Sequence, residues 1–336
     1  LNWLLYSSGA VEFNTESRRL ALCGVEARER RTGQAVEWGT TSAWYDLRRA
    51  EGKLSVAADV LDLTKEHLQH VEALFRNGVV AKNEVLRVRV SVSEAELNVI
   101  QAKNAVSVGW KALERAVGAS LEGVYDLPPS EEMPEAPALP EDAVEAGLAR
   151  RPEMEALELA ARSANMASRA AKAQDGPQLM LMGEAYSAGD TFFPDKQNDW
   201  KATLMLSWSL FDGGVSSARA REAKAAAEEF LLQMEDLKRQ IELEISVARL
   251  NCESSRQRVE TGRAMVESAE EDYRMSLRRY TAQVGTNIDV LDARVALSNA
   301  RNQLVDSSYD LLKARAEMEF AMGVIGEDRG AEVAGR

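Results

Sequence analysis

Apolar residues recur at every seventh position along two long stretches of the chain, and the stretches follow the same pattern 205 positions apart. In each stretch a first ladder is followed by a short break and then by a second ladder. The first copy consists of Leu47, Leu54, Leu61, Leu68 and Phe75, then Val85, Val92, Val99, Val106 and Leu113. The second copy consists of Cys252, Val259, Val266, Tyr273 and Tyr280, then Val290, Leu297, Leu304, Leu311 and Met318. Because a seven-residue apolar repeat is typical of helices packed along a seam, the sequence predicts two long helical hairpins in an internally duplicated chain.

A different pattern separates the hairpins. All eight prolines lie between Pro128 and Pro194, which leaves the flanking stretches free for uninterrupted helices. A shorter helix is predicted over 141–173, with an interruption near Pro152. Two strands are predicted after it, at 179–186 and 202–210. In the second strand apolar residues alternate with mostly polar ones, as expected of a sheet with one apolar face; the apolar positions are Ala202, Leu204, Leu206, Trp208 and Leu210.

These patterns divide the chain into four parts. We predict a first repeat over 1–126 (a strand stub and a long helical hairpin) and a linker rich in Pro and Glu over 127–140. A second repeat over 141–323 contains the short helix, the two strands and the second hairpin, and a flexible tail follows over 324–336. Because the first repeat begins partway through its strand, the chain is expected to be truncated at its N-terminus.

The net charge of −13 on 336 residues, without a long run of Lys or Arg, argues against a nucleic acid partner. The sequence shows no nucleophile–base pairing, no glycine-rich phosphate loop and no CxxC motif. It therefore predicts neither an enzyme nor a cofactor. His67 and His70 are three positions apart, but no second ligand cluster accompanies them, so we interpret them as surface histidines rather than as a metal site.

The breaks between the ladders predict the hairpin tips. Gly78 and Gly285 are expected to let the chain reverse, and apolar residues there are expected to be exposed. Two interpretations are open for these apolar residues: ordinary packing within the turn, or docking onto another hairpin tip. The tip residues are Asn77, Gly78, Val79 and Val80 in the first hairpin, and Gln283, Val284 and Gly285 in the second.

Two further groups of residues are candidates for special roles. Asp212, Gly213 and Gly214 are predicted to form a strand-to-helix turn, with Asp212 as the helix N-cap. Asp289 and Asp292 are three positions apart on one helix face just past the second tip. Either they belong to a solvated acidic face, or, in a symmetric oligomer, they form a carboxylate ring that attracts cations.

Taken together, the motifs resemble those of the TolC-like outer-membrane efflux proteins, the trunk channels of tripartite efflux pumps and type I secretion systems. Four motifs carry this resemblance: Leu210-Phe211-Asp212-Gly213-Gly214, Arg279-Tyr280 with Asp289-Val290-Leu291-Asp292-Ala293, Asn77-Gly78-Val79-Val80 with Glu84-Val85-Leu86, and Ala149-Arg150-Arg151-Pro152-Glu153-Met154. Each motif is weak alone, but together they span nearly the whole chain. In three ways the chain departs from the family. Gln283 replaces the usual tip glycine, and Gly285 stands where some members have an arginine that braces the closed gate. The family's N-terminal helix and most of its first strand pair are expected to be missing.

The resemblance implies a mainly α fold with long antiparallel coiled-coil hairpins in an α-barrel and a small antiparallel strand portion in a trimeric transmembrane β-barrel. It implies a homotrimer in the outer membrane of a Gram-negative bacterium that extends into the periplasm and works with a periplasmic adaptor (a membrane fusion protein) and an inner-membrane pump. Such a protein is a passive exit duct for drugs, small molecules or proteins. By the same resemblance, Asp289, Asp292 and Tyr280 belong to the gate. Two alternatives stay open: a periplasmic coiled-coil adaptor or scaffold without a pore, and a non-functional truncated copy.

Overall fold

A computed structural model of the protein describes residues 1–121, 143–187 and 198–326. It is mainly helical, with three strands, which confirms the predicted fold class. The elements in chain order are β1 (Asn2–Tyr6), α1 (Ala10–Arg76), α2 (Lys82–Val117), α3 (Ala143–Arg150), α4 (Pro152–Ala173), β2 (Gln178–Ser187), β3 (Asn198–Ser207), α5 (Val215–Thr281) and α6 (Asn287–Ala321). The predicted linker 127–140 lies outside the described residues, as does the predicted tail from residue 327 onward.

The helix boundaries repeat with the spacing of the ladders. From Ala10 to Val215, from Arg76 to Thr281 and from Lys82 to Asn287 the distance along the chain is 205 positions. Both long helices, α1 and α5, contain 67 residues. These boundaries agree with an internal duplication, which stays a prediction.

The chain forms two compact units. The first contains residues 1–32 and 148–242, and the second contains residues 33–147 and 243–336. Each unit thus takes segments from both predicted repeats, so the repeats do not coincide with the compact units. None of the helices in the described part of the chain carries an apolar stretch long enough to cross a membrane.

The first unit contains an antiparallel sheet with strand order β1-β2-β3. Leu204 pairs with Leu181, which in turn pairs with Trp3. Because directly paired residues share one face of a sheet, these side chains lie on a single apolar face that crosses all three strands. The alternation predicted from the sequence is therefore present.

The predicted limits of the third strand were wrong. β3 pairs with β2 from Asn198 to Ser207, whereas the sequence pattern suggested 202–210. Pro177 precedes Gln178, the first residue of β2 and the partner of Ser207, and proline has no N–H to donate to a neighbouring strand. Trp208 and Leu210 therefore continue the alternation beyond the point where pairing ends.

In the first unit, α4 packs against both long helices through small residues. Ser17 Oγ donates to the carbonyl oxygen of Ser163 (3.0 Å), and Ser168 Oγ donates to that of Ala220 (2.7 Å). Glu153, in the first turn of α4, pairs with Arg31 and with the buried Arg151. These contacts hold the helices of the first unit against one another.

In the second unit, the ladder residues line the seam between the helices, as predicted. Leu47, Val290 and Leu297 are buried, and the other ladder positions except Phe75 are buried or half-buried. A core cluster joins Val71 of α1, Val85 and Val88 of α2, and Tyr273 and Tyr280 of α5 with residues of α6. This core lies next to the hairpin tips, so it positions the candidate site.

Candidate functional site

The two hairpin tips have the same backbone structure. In the first tip, the N–H of Val79 donates to the carbonyl of Leu74 (2.9 Å). In the second tip, the N–H of Val284 donates to the carbonyl of Arg279 (2.9 Å). Each of these bonds closes the end of a long helix in the manner of a Schellman cap, which requires a left-handed residue just before the valine.

The residue in the left-handed conformation differs between the tips. In the first tip it is Gly78, with φ of +74°, and in the second it is Gln283, with φ of +61°. The prediction that Gly285 reverses the chain was therefore wrong. Gly285 lies instead at a crowded position: a Cβ atom there would lie 3.0 Å from Arg279 Cβ and 3.1 Å from the backbone nitrogen of Tyr280.

Apolar side chains are exposed at both tips. Val79 is 47% exposed and Val284 is 71% exposed, so each tip presents an apolar side chain to its surroundings. Val80 differs from the prediction, because it packs against the core cluster that contains Tyr280 and Val85. Docking through the tips stays a prediction, supported by two exposed valines rather than three.

Asp289 caps the helix that follows the second tip. Its carboxylate accepts a hydrogen bond from the N–H of Thr286 (3.0 Å), while its own N–H donates to Thr286 Oγ1 (3.2 Å). These two bonds form a capping box. The hydrogen bond from the Thr286 backbone lowers the pKa of Asp289 below its usual value, so this residue carries its charge at neutral pH.

Asp292 lies almost one turn further along α6. It is exposed, and within the described part of the chain no ion pair involves its carboxylate. Of the two aspartates, Asp292 is therefore the one without a local structural role. Its placement in a cation-attracting ring stays a prediction.

Tyr280 is buried at the end of α5 and connects three helices. Its hydroxyl donates to Glu84 Oε2 of α2 (3.3 Å), and its ring meets the edges of the His67 and His70 rings of α1 at centroid distances of 5.4 and 6.2 Å. Burial, helped by the charge of Glu84 and by this hydrogen bond, raises the pKa of Tyr280 to about 12. The hydroxyl therefore stays protonated and keeps donating across the physiological pH range.

The interpretation of His67 as a surface residue was wrong. The side chain of His67 is only 4% exposed, and its Nε2 lies 2.8 Å from Oδ1 of Asn287 at the start of α6. One turn away, Thr64 Oγ1 accepts a hydrogen bond from the buried Arg294 (2.6 Å). The sequence did carry a signal for this cluster, since Val60, Thr64, His67 and Val71 follow the four-three-four spacing of a packed helix face.

The strand-to-helix turn of the first unit is held by Asp212. Because α5 begins at Val215 and the carbonyl of Gly214 accepts its first hydrogen bond, the N-cap position is Gly214 and not Asp212 as predicted. Its carboxylate accepts hydrogen bonds from the N–H of Gly214 (2.7 Å) and of Ser216 (2.6 Å), and from the Ser216 hydroxyl. The bonds from Ser216 are the main cause that lowers the pKa of Asp212 to about 2. Gly213 and Gly214 both have positive φ, of +69° and +86°, so glycine suits both positions.

The same turn occurs at the start of α1, where Ser7 takes the place of the aspartate. Ser7 Oγ accepts from the N–H of Val11 (3.2 Å), and Ser8 and Gly9 have φ of +55° and +87°. The two turns are thus built alike at equivalent positions of the predicted repeats, from largely different residues.

The family was identified by comparison with known proteins. The sequence profile of the outer membrane efflux protein family matches residues 143–324, more than half of the chain. The chain belongs to the outer membrane efflux protein family. This confirms the resemblance drawn from the motifs, and it agrees with the predicted location in the outer membrane with an extension into the periplasm.

Individual relatives support this assignment. The chain is 27% identical over 309 residues to the alkaline protease secretion protein AprF of Pseudomonas aeruginosa, covering 90% of this chain and 64% of AprF. It is 21% identical over 322 residues to TtgC of Pseudomonas putida, a probable efflux pump outer membrane protein, covering 94% of this chain and 66% of TtgC. The chain thus spans slightly less than two thirds of each of these relatives.

A solved structure shows the same fold. The open-state crystal structure of the MtrE outer membrane channel of Neisseria gonorrhoeae superposes with a TM-score of 0.80 at 19% identity, covering 96% of this chain and 74% of MtrE. At this identity the likeness concerns the fold alone.

Proposed function

We propose that the protein is the outer-membrane exit duct of a tripartite efflux or type I secretion system. It is a passive conduit without enzymatic activity, through which a partner inner-membrane pump drives drugs, small molecules or proteins. The proposal includes assembly as a homotrimer and contact with a periplasmic adaptor through the hairpin tips. The family and the names of the relatives support this function, and one structural observation carries it.

That observation is the apolar face of the sheet. Trp200, Leu204 and Leu206 of β3 and Trp3 of β1 are all more than 60% exposed, and they lie on one face. From Trp200 to Leu206 the strand rises about 20 Å at about 3.3 Å per residue. This is close to the apolar band, about 25 Å tall, by which membrane-spanning strands face lipid. A periplasmic scaffold has no use for such a surface in water.

The opposite face of the sheet has a different character. It carries Lys201 and Thr203 of β3 and Glu184 of β2, which pairs with Lys201, together with Met182 and Met205. Strands in the wall of an aqueous duct are expected to carry apolar residues toward lipid and polar residues toward water. The two faces therefore supply a matched pair of positions for an experiment.

The test places a lysine on either face of the same strand. Leu204→Lys should prevent stable insertion, because a lysine facing the middle of the bilayer costs about 2–4 kcal/mol. Thr203→Lys, on the neighbouring residue and the opposite face, should insert like the unmodified protein. The measurement is the amount of folded protein in isolated outer membranes. Equal insertion of both variants would contradict the assignment of the apolar face to lipid.

The aspartates after the second tip supply the proposed selectivity of the duct. Three copies of Asp289 and Asp292 around one axis would attract cations. Asp292→Asn is the cleaner variant, since Asp289 also caps α6. We expect Asp292→Asn to reduce the preference for K⁺ over Cl⁻ in reversal potentials measured across lipid bilayers. If the preference for K⁺ over Cl⁻ is unchanged in this variant, Asp292 does not belong to the proposed carboxylate ring.

A further inference from the structure

A buried polar cluster beside the second hairpin tip has no part in the proposed conduction of substrate. It consists of Thr64, His67 and His70 of α1 and Asn287 and Arg294 of α6, and we call it the His67 cluster. His67, Asn287 and Arg294 are each less than one tenth exposed. Buried polar side chains are costly unless they are well paired, so the pairing of each group decides what the cluster does.

The surroundings of the two ring nitrogens indicate which protonation state of His67 the packed structure accommodates. Its Nε2 lies 2.8 Å from Oδ1 of Asn287, and an amide oxygen can only accept. A neutral ring that donates from Nε2 carries a lone pair on Nδ1, and Nδ1 is buried without a hydrogen-bond partner. The packed structure therefore accommodates a neutral His67 and offers no acceptor for a second N–H.

The charged groups around His67 also oppose a positive charge on its ring. From α6, the buried Arg294 guanidinium repels it, and from α1, His70 does so as well. From α5, the ring of Tyr280 lies against it, and the hydroxyl of that tyrosine already engages Glu84, the nearby carboxylate of α2. Burial is the largest of the effects that lower the pKa of His67, and the hydrogen bond with Asn287 opposes it.

The remaining acidic residues near the cluster do not compensate this charge. Glu66, next to His67 in the chain, is exposed and acts on Tyr273 rather than on His67. Glu94 of α2 acts on Arg294 rather than on His67. Among the described residues, no carboxylate pairs with either Arg294 or His67. The cluster thus already holds one buried positive charge, and a second would have no partner.

We propose that His67 is an acid-sensitive latch that holds the first turn of α6 against α1 at the second hairpin tip. While neutral, His67 fixes Asn287 and with it the start of α6. When it takes up a proton, the buried ring gains an unpaired N–H and a charge next to Arg294. The contact between α1 and the start of α6 then opens, so that the ring reaches water.

The direction of the pH dependence follows from the lowered pKa. His67 binds a proton less readily in the packed state than in the open state. Protonation therefore favours the open state, and the packed state is most stable at pH values above the pKa of the open state. That stability is present above pH 6.5, the ordinary value for histidine, and it falls as the pH drops below 6.5. If the packed state takes up no proton, opening should be about 30-fold more favourable at pH 5.0 than at pH 7.5, which is the upper limit.

The chain contains only two histidines, which makes the titration of His67 directly observable. The first measurement is an NMR titration of the imidazole signals in the detergent-solubilised protein, with His70→Gln used to assign them. We expect the signal of His67 to titrate below pH 6.5. If His67 titrates at or above 6.5, the packed state does not resist its protonation and the latch is disproved.

The second measurement is amide hydrogen exchange at pH 7.5 and 5.0, corrected for the intrinsic effect of pH on exchange. We expect faster exchange at pH 5.0 in the first turns of α6, from Asn287 onward, with little change in the middle of α2. His67→Gln keeps an N–H donor for Asn287 but cannot titrate, so it should lose this pH dependence. His70→Gln, the matched control, should retain it. A pH dependence that persists in His67→Gln would overturn the proposal.

The latch can affect the opening of a duct only if the protein has the function proposed above. The two experiments above do not depend on that function, because they report on the contact between α1 and α6 whether or not the protein conducts ions. Loss of conductance with an intact latch would therefore count against the duct alone. Conversely, conductance without the pH-dependent exchange would count against the latch alone.

Discussion

The contact between Thr64 and Arg294 allows a quantitative test of the packing beside the second tip. Thr64 is fully buried. Its hydroxyl donates to the carbonyl of Val60 and accepts from Arg294 Nη1, both at 2.6 Å. Within the described part of the chain this threonine is the only hydrogen-bond partner of the Arg294 guanidinium. Thr64→Val changes the shape little but leaves a buried positive charge without its acceptor.

The expected cost follows from the charge on the donor. Loss of a hydrogen bond to a charged group costs about 1.5–3 kcal/mol, more than loss of a neutral one. We therefore expect Thr64→Val to lower the free energy of unfolding by about 2 kcal/mol. Arg294→Met removes the charge that needs the hydroxyl, and replacing an uncompensated buried charge by an apolar side chain is often neutral or stabilising. In the Arg294→Met background, Thr64→Val should then cost little.

Urea unfolding of the unmodified protein, Thr64→Val, Arg294→Met and the double variant, all at one protein concentration, measures the coupling between the two residues. Thr261→Val is a matched control, since the exposed Thr261 hydroxyl bonds only to the carbonyl of Gln257 (3.0 Å). The control should change stability by less than about 0.5 kcal/mol. If Thr64→Val costs as little as the control, or as much with Met at position 294 as with Arg, the account of the cluster is wrong.

Two further predictions concern the turns. Because hydrogen bonds from Ser216 lower the pKa of Asp212 from 3.8 to about 2, its contribution to stability is present above pH 3.8 and is lost as the pH falls toward 2. Asp212→Ala should therefore be less stable at pH 7 and lose less stability over that interval in an acid titration followed by circular dichroism; parallel titration curves would contradict this. Gln283 adopts a left-handed conformation, so Gln283→Gly should raise the unfolding midpoint by relieving about 1 kcal/mol of strain. The reciprocal Gly78→Gln should lower it by a similar amount. A midpoint that falls in Gln283→Gly or rises in Gly78→Gln would refute the equivalence of the tips.

The seven-residue ladders predicted the helices and the side that each helix buries. The reason is that spacing fixes which residues share a face, and the long helices follow that spacing closely. Leu47 and Val290 are buried where the ladders place them. The tips were located correctly for the same reason, since each tip begins where a ladder is interrupted.

The pairing of side chains across helices could not be read from the same pattern. His67 looked like a surface residue because its partner, Asn287, is 220 positions away in the chain. Gly285 looked like the residue that reverses the chain, because glycine is the usual choice for positive φ. In the structure Gln283 adopts that conformation, and Gly285 makes room for the backbone of α5. Both errors concern contacts that spacing along one helix does not encode.

The end of β3 shows a related limit. Alternation extends through Trp208 and Leu210, but pairing stops at Ser207, opposite Gln178. A period of two reveals the apolar face, whereas the length of a strand depends on whether its neighbour continues. Here the neighbour is preceded by Pro177, which cannot donate to a sheet.

The conductance of the purified protein in a planar lipid bilayer tests the central claim most directly. An exit duct should produce discrete, long-lived current steps with a preference for cations. It should do so without a nucleotide or any other energy source, because the duct is passive. Folded protein that inserts into the bilayer and produces no current steps would contradict the account.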